Sequence, residues 1–246
     1  MRQRIVIPLA VEAAIMVTAY LAYEAVRRLV VSEPAAAFAH ASRIISIERR
    51  LGIFLEPDLQ RLIIDHHWLV TLFNWIYVWG YLPAIVVAAI YLFLAHRHAY
   101  GRYRNAFLLS GAMGLAVFAS LPVAPPRMFP ELGFVDTVHL NSDVYRSVHN
   151  TGLVNEFAAV PSFHFGWTLL VGIALWQTAR RAAIRAAAVL LPAAMLAAIV
   201  LTANHYVLDA LAGALLVLCS LAVICWIESR WPRSREMAPR DTQAVR

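Results

Sequence analysis

The sequence predicts an all-α integral membrane protein, a bundle of six transmembrane helices with interfacial amphipathic helices and a long extracytoplasmic loop. Two observations lead to this prediction. Hydrophobic residues make up 61% of the 246 residues and charged residues only 15%, which excludes a water-soluble globule. The apolar residues also form long runs, several of about the length that crosses a ~30 Å hydrocarbon core.

The apolar runs predict these transmembrane spans: 5–27, 68–95, 106–123, 162–179, 184–203 and 206–227. The stretch 34–67 mixes apolar residues with arginine and glutamate, so we expect one or two amphipathic helices at the membrane interface. The polar stretch 124–160 is longer than a connection requires, and such loops often carry function. The chain then divides into a first transmembrane helix (1–33), the interfacial segment (34–67), a catalytic transmembrane core (68–227) and a mobile cytoplasmic tail (228–246).

The arginines predict the orientation, because short loops rich in Lys or Arg face the cytoplasm. All 21 basic residues are arginine, which excludes lysine chemistry such as a Schiff base. With both termini cytoplasmic, the short loops 96–104 and 180–185 lie inside, and 124–160 and 203–206 face the extracytoplasmic side. We expect a multi-pass protein of the plasma (cytoplasmic) membrane, in which the net charge of +6 reflects orientation in the lipid bilayer and not nucleic-acid binding.

Three segments bring polar residues to that extracytoplasmic face: 122–127, 160–164 and 202–209, called below the first, second and third motifs. In the last of them, His205 and Asp209 are four residues apart, which on a helix puts the carboxylate beneath the imidazole ring. A carboxylate bonded to one ring nitrogen leaves the other as a lone pair, which describes a nucleophile. A structural clamp between helices has the same pattern, so both interpretations stay open here.

The other two segments predict an anion site. Pro161 suits the first turn of the fourth span and Ser162 can cap it, and the N–H groups of such a helix end attract anions. His164 would stand beside the anion and donate a proton to a leaving oxygen, although an interfacial histidine in water has the same pattern. Arg127 has a guanidinium fork that matches phosphate oxygens, and an arginine that snorkels to the interface is the alternative.

Metal and disulfide sites are not expected. The chain has nine histidines, but neither His66-His67 nor His96-x-His98 has the spacing or companion ligands of a zinc site. We therefore predict no metal and no cofactor. The two cysteines, Cys219 and Cys225, lie off a shared helical face in the last apolar run, so no disulfide is expected.

The three segments resemble the signatures of the type-2 phosphatidic acid phosphatase superfamily, which end in Arg-Pro, contain Pro-Ser-x-His and finish with His-x-x-x-Asp. The resemblance covers about residues 40–225. Three further features look like the inositol-phosphorylceramide-synthase branch, an inositolphosphotransferase: Ala-Pro-Pro-Arg127, Phe163 where hydrolases usually have Gly, and Glu48-Arg-Arg-Leu-Gly-Ile-Phe54.

The resemblance implies a membrane enzyme that acts on a lipid phosphoester through a phosphohistidine. It assigns the attack on phosphorus to His205, the orientation of that ring to Asp209, and protonation of the leaving oxygen to His164. Arg127 and Ser162 would hold the phosphoryl oxygens, where charge stabilisation is the main task.

This chain departs from the family pattern at two cations. It has no Lys in the first motif, and it has Ala198-Ile199 where the family has Ser-Arg; Arg146 in the outer loop is the candidate substitute. Fewer cations favour a phosphodiester over a dianionic monoester, so we expect transfer of a phosphate-linked head group to an alcohol acceptor or to water. A lipid-phosphate phosphatase and a non-catalytic lipid-binding scaffold are the alternatives, and the oligomeric state stays open.

Overall fold

The computed structural model describes residues 3–29, 33–141 and 156–231. Within these ranges the chain is helical apart from turns and loops, which confirms the all-α class. Two 3-10 turns, Pro126–Met128 and Pro130–Leu132, lie in the connection that follows residue 120. The helices are α1 (Gln3–Leu29), α2 (Pro34–Leu51), α3 (Glu56–Ile64), α4 (His67–Trp79), α5 (Tyr81–Ala95), α6 (Arg97–Ser120), α7 (Thr137–Asn141), α8 (Phe163–Thr178), α9 (Ala182–Leu201) and α10 (Val207–Arg230).

The length and composition of the helices support a membrane protein. Within the described part of the chain, α9 and α10 are each long and apolar enough to cross a bilayer, and the bent pair α4 and α5 adds a third span if it is counted as one. The six predicted spans stay a prediction.

The predicted span 68–95 contains a break, because α4 and α5 meet at Gly80 with a bend of 49°. A Cβ on Gly80 would lie 2.3 Å from the carbonyl oxygen of Ile76, so this close turn requires glycine. Pro83 has no N–H to donate to the carbonyl group of Trp79, which interrupts the helical hydrogen bonds at the same point. A uniformly apolar run does not reveal such a break.

The predicted loop 96–104 is wrong in its extent, because α6 begins at Arg97 and its first two turns carry the arginines. Arginine is a good helix former, and acidic partners on other helices accept two of these side chains. Arg102 Nε lies 2.7 Å from an oxygen of Glu228, and Arg104 pairs with Glu12. The arginines therefore pack against the bundle while still marking one end of it.

The segment 34–67, for which one or two helices were expected, contains α2 and α3, and its position at the membrane interface stays a prediction. Four residues at helical spacing form the buried face of α2: Ala37, Ala41, Ile45 and Glu48. The three apolar ones share a core cluster with Val123, Ala124, Phe129, Phe134, Ala159, Ala203 and Tyr206, which come from all three motif segments or the loops beside them. Helix α2 therefore packs directly over the motifs.

Close packing of α8 and α10 brings the second and third motifs together. A Cβ on Gly213 of α10 would lie 2.3 Å from the carbonyl oxygen of Ser162, so only glycine allows this approach. The backbone N–H of Ser162 donates to the carbonyl oxygen of Asp209 over 3.0 Å. The first turns of the two helices are thus held side by side.

Candidate active site

A tight turn between α9 and α10 presents His205. The N–H groups of Asn204 and His205 both donate to the carbonyl oxygen of Ile199 over 3.1 Å, and Ala203 adopts a left-handed φ of 54°. This φ is uncommon for a residue with a side chain. His205 therefore lies in the turn before α10, whereas the sequence interpretation placed it on the helix itself.

The structure still brings His205 and Asp209 together, with Nδ1 of His205 3.3 Å from Oδ2 of Asp209. A shorter bond of 2.9 Å joins the same Nδ1 to the carbonyl oxygen of Ala159. Asp209 Oδ2 also accepts the N–H of Tyr206 over 2.9 Å, so this carboxylate caps α10 as well as contacting the ring. The backbone carbonyl group of Ala159 is a partner that the sequence pattern did not indicate.

Ser162 caps α8 as predicted, since its Oγ accepts the N–H of Phe165 over 3.4 Å. His164, in the first turn of α8, has its ring centre 5.8 Å from the ring centre of His205. Two tyrosines from the α4–α5 bend enclose the His164 ring: Tyr77 stacks on it with ring centres 4.4 Å apart, and Tyr81 meets it edge-on at the same separation. The sequence analysis missed these tyrosines, which lie on either side of the break between α4 and α5.

Arg127 is held against the turn that presents His205. Its N–H donates to the carbonyl oxygen of Ala203 over 2.8 Å, and its Nη1 donates to Oδ1 of Asn204 over 2.7 Å. Nε lies 3.3 Å from Oδ2 of Asp136, and the side chain is only 8% exposed. The structure thus brings Arg127 to the site, with Asn204 and Asp136 as partners that the sequence analysis missed.

Two further glutamates reach the site from the segment 34–67. Glu48 of α2 accepts the N–H of Leu208 over 2.8 Å, and Glu56 of α3 accepts the N–H of Val207 over 2.9 Å. Both residues are fully buried. The signal for Glu48 was its position on the apolar face of α2, where a glutamate is unusual unless it has a buried partner.

The predictions for Arg146 and for metal binding concern the surroundings of this site. Arg146, the candidate substitute for a missing cation, lies outside the described residues. Among the residues that the structure does describe, no group of three or more His, Cys, Asp or Glu side chains is arranged to hold a metal ion.

Comparison with known families adds an independent finding to this geometry. A family model described as PAP2 superfamily matches residues 42–223 of the 246. The matched range contains all three motif segments, and it also contains Glu48 and Glu56. Comparisons with curated proteins and with solved structures gave no match.

Proposed function

We propose a function for this chain, which belongs to the PAP2 superfamily. Membership supports a phosphatase-type enzyme that acts on lipid phosphate in a membrane. Beyond this, we propose that the protein cleaves a lipid phosphoester at the extracytoplasmic face through a phosphohistidine on His205. The phosphate-linked group is then transferred to an alcohol or to water.

One observation carries the proposal, namely the 2.9 Å bond between Nδ1 of His205 and the carbonyl oxygen of Ala159. A carbonyl oxygen only accepts, so Nδ1 carries the hydrogen and Nε2 keeps a lone pair. Burial lowers the pKa of His205 to about 3, so the ring is neutral at pH 7 and the lone pair is free to attack. Asp209 then stabilises the positive ring that forms when Nε2 bonds to phosphorus.

The reaction has two steps. In the first, Nε2 of His205 attacks phosphorus and the bond from phosphorus to the leaving alcohol oxygen breaks. His164, which is protonated when the anionic phosphoester lies beside it, gives that oxygen its proton. Arg127 and the amide groups at the start of α8 stabilise the negative charge on the phosphoryl oxygens. In the second, water or an alcohol attacks phosphorus, its proton passes to His164, and the nitrogen–phosphorus bond breaks.

The surroundings of Arg127 favour a phosphodiester as the substrate. Its guanidinium contacts the carboxylate of Asp136, which offsets part of the positive charge beside the nucleophile. A phosphodiester carries one negative charge and needs less compensation than a dianionic monoester. This supports head-group transfer, as in the inositolphosphotransferase branch, over a general phosphomonoesterase.

The test is product analysis with the purified protein in detergent. Phosphodiester lipids, phosphatidate and polyprenyl phosphates are supplied with and without inositol or glycerol, and products are identified by mass spectrometry. We expect a new head-group ester that appears only with the alcohol. Release of inorganic phosphate from monoesters without an acceptor would instead make the protein a lipid-phosphate phosphatase, and turnover of no lipid would support the scaffold alternative.

The extracytoplasmic face is tested by cysteine labelling. Cys219 and Cys225 are replaced by serine, and single cysteines are introduced at exposed Glu131, beside the motifs, and at exposed His98, at the arginine-rich end. We expect Glu131→Cys to react with an impermeant maleimide on intact cells, and His98→Cys to react only after permeabilisation. Labelling of both from the same side would contradict the orientation.

A further inference from the structure

The first turn of α10 is capped by acidic side chains from different parts of the chain. One comes from α2, one from α3 and one from α10 itself, and all are fully buried. A helix N-terminus favours negative charge, but its cap usually comes from one side chain at the start of the helix itself. The bonds are Tyr206 N to Asp209 Oδ2 (2.9 Å), Val207 N to Glu56 Oε1 (2.9 Å) and Leu208 N to Glu48 Oε1 (2.8 Å).

Each carboxyl group leaves its second oxygen buried without a hydrogen-bond partner: Oε2 of Glu48, Oε2 of Glu56 and Oδ1 of Asp209. Burial of a charged oxygen without a partner is costly. The carboxyl groups of Glu48 and Glu56 also lie within hydrogen-bonding reach of each other, which is repulsive if both are ionised. A single proton would convert this contact into a hydrogen bond.

We propose that Glu48 and Glu56 bind one shared proton and that this acid–carboxylate pair positions the turn that presents His205. The protonated carboxyl group donates to the ionised one, so the pair carries one negative charge and not two. Each glutamate keeps its bond to a backbone N–H of α10. The pair thereby joins α2 and α3 to the residues that follow the nucleophile.

The groups around Glu48 place the proton on that residue. It faces Glu56 on α3 and, on α10, Asp209 and the preceding Tyr206. Burial raises the pKa of Glu48 to about 9, with Glu56 and Asp209 adding to the rise and the bond from Leu208 N–H opposing it. Glu48 is therefore the protonated member at pH 7.

Infrared spectroscopy tests the shared proton without any substrate. A protonated carboxyl group has a C=O stretching band that shifts in D2O, and we expect Glu48→Gln to lose intensity in that band. Glu228→Gln, which removes an arginine-paired carboxylate elsewhere, is the matched control and should leave the band unchanged. A band of equal intensity in wild type and Glu48→Gln would overturn the shared proton.

Thermal unfolding between about pH 5 and about pH 9 gives a second readout. A folded pKa of about 9 against an ordinary value of 4.5 means that the proton on Glu48 stabilises the fold fully below about pH 4.5. That contribution is lost as the pH rises towards 9. Wild type should therefore lose melting temperature relative to Glu48→Gln across this window, and parallel curves would contradict the proposal.

The positioning role rests on the proposed function and is tested by kinetics. Glu48→Gln, which mimics the protonated state, should keep kcat at pH 7 and keep it above pH 9, where wild type loses its shared proton. Glu48→Leu should lower kcat about tenfold or more with little change in KM, because a displaced nucleophile slows chemistry more than binding. Equal kcat in Glu48→Leu and wild type would overturn positioning, whereas inactive wild type with the expected infrared band would overturn only the proposed function.

Discussion

Carboxylates are held in two different ways at the two ends of the bundle. At the motif end, Glu48, Glu56 and Asp209 accept backbone N–H groups at the start of α10 and are fully buried. At the opposite end, two arginines of α6 pair with acidic side chains of α1 and α10: Arg104 with Glu12, and Arg102 with Glu228. The first arrangement holds the backbone at one position, while the second joins flexible side chains.

The two arrangements of carboxylates contribute differently to the free energy of unfolding. The side chains of Arg102 and Glu228 are 41% and 30% exposed, and such pairs contribute at most ~1 kcal/mol because water and salt screen them. Loss of a buried carboxylate that caps a backbone N–H leaves that group without a partner, which costs ~1–3 kcal/mol. We therefore expect the geometry that the proposed catalysis requires to depend on the bonds between carboxylates and backbone N–H groups, and the arginine-rich end to tolerate change.

Replacement of histidines at the two ends should give the largest contrast. His205→Ala removes the attacking nitrogen, so we expect kcat to fall by at least about a thousandfold with every lipid substrate. The control is His96→Ala at the opposite end, where Nε2 of His96 lies 3.0 Å from the hydroxyl oxygen of Tyr91, and it should keep wild-type kcat. Substantial activity in His205→Ala would show that the nucleophile is a different residue.

Asp209→Asn should have a smaller effect on turnover than His205→Ala. The amide oxygen can still accept the N–H of Tyr206, and the carbonyl group of Ala159 still holds the hydrogen on Nδ1 of His205. The negative charge that stabilises the positive ring is lost, so we expect kcat to fall about a hundredfold with a nearly unchanged melting temperature. Unchanged turnover with a markedly lower melting temperature would support the structural clamp instead.

Glu228→Gln is the matched change at the arginine-rich end and should have the smallest effect. It removes a partly exposed partner of Arg102, so the free energy of unfolding should fall by less than ~1 kcal/mol at low salt. The difference should vanish at high salt, and turnover should match wild type. A loss of turnover comparable to that of Asp209→Asn would contradict the contrast between the two ends.

Part of the candidate site was predictable from local spacing. Ser162 as the cap of α8 and the approach of Asp209 to His205 both followed from residues a few positions apart. The approach of Asp209 to His205 has a different geometry from the predicted one. His205 lies in a turn before α10, and the Asp209 carboxylate contacts its ring while it also accepts the backbone N–H of Tyr206. Local spacing thus predicted the contact but not the conformation that makes it.

The remaining partners were not predictable from local spacing. Glu48 and the backbone N–H of Leu208 are 160 residues apart, and Arg127 and Asn204 are 77 apart. Nothing in the periodicity of one segment indicates which distant segment it meets. Glu48 also looks like a solvent-exposed residue of an amphipathic helix. Its burial becomes apparent only because it shares one helical face with Ala41 and Ile45.

The helical class, the apolar segments and the three motifs could be predicted from the sequence, because composition, run length and residue spacing act within single helices. Three features are visible only in the folded chain: a backbone carbonyl group holds the hydrogen of His205, tyrosines enclose His164, and acidic side chains from α2 and α3 cap α10. These features depend on where helices cross and how closely they pack. Close approach of backbones converts three separate motifs into one site: Gly213 packs against Ser162, and the N–H of Arg127 donates to the carbonyl oxygen of Ala203.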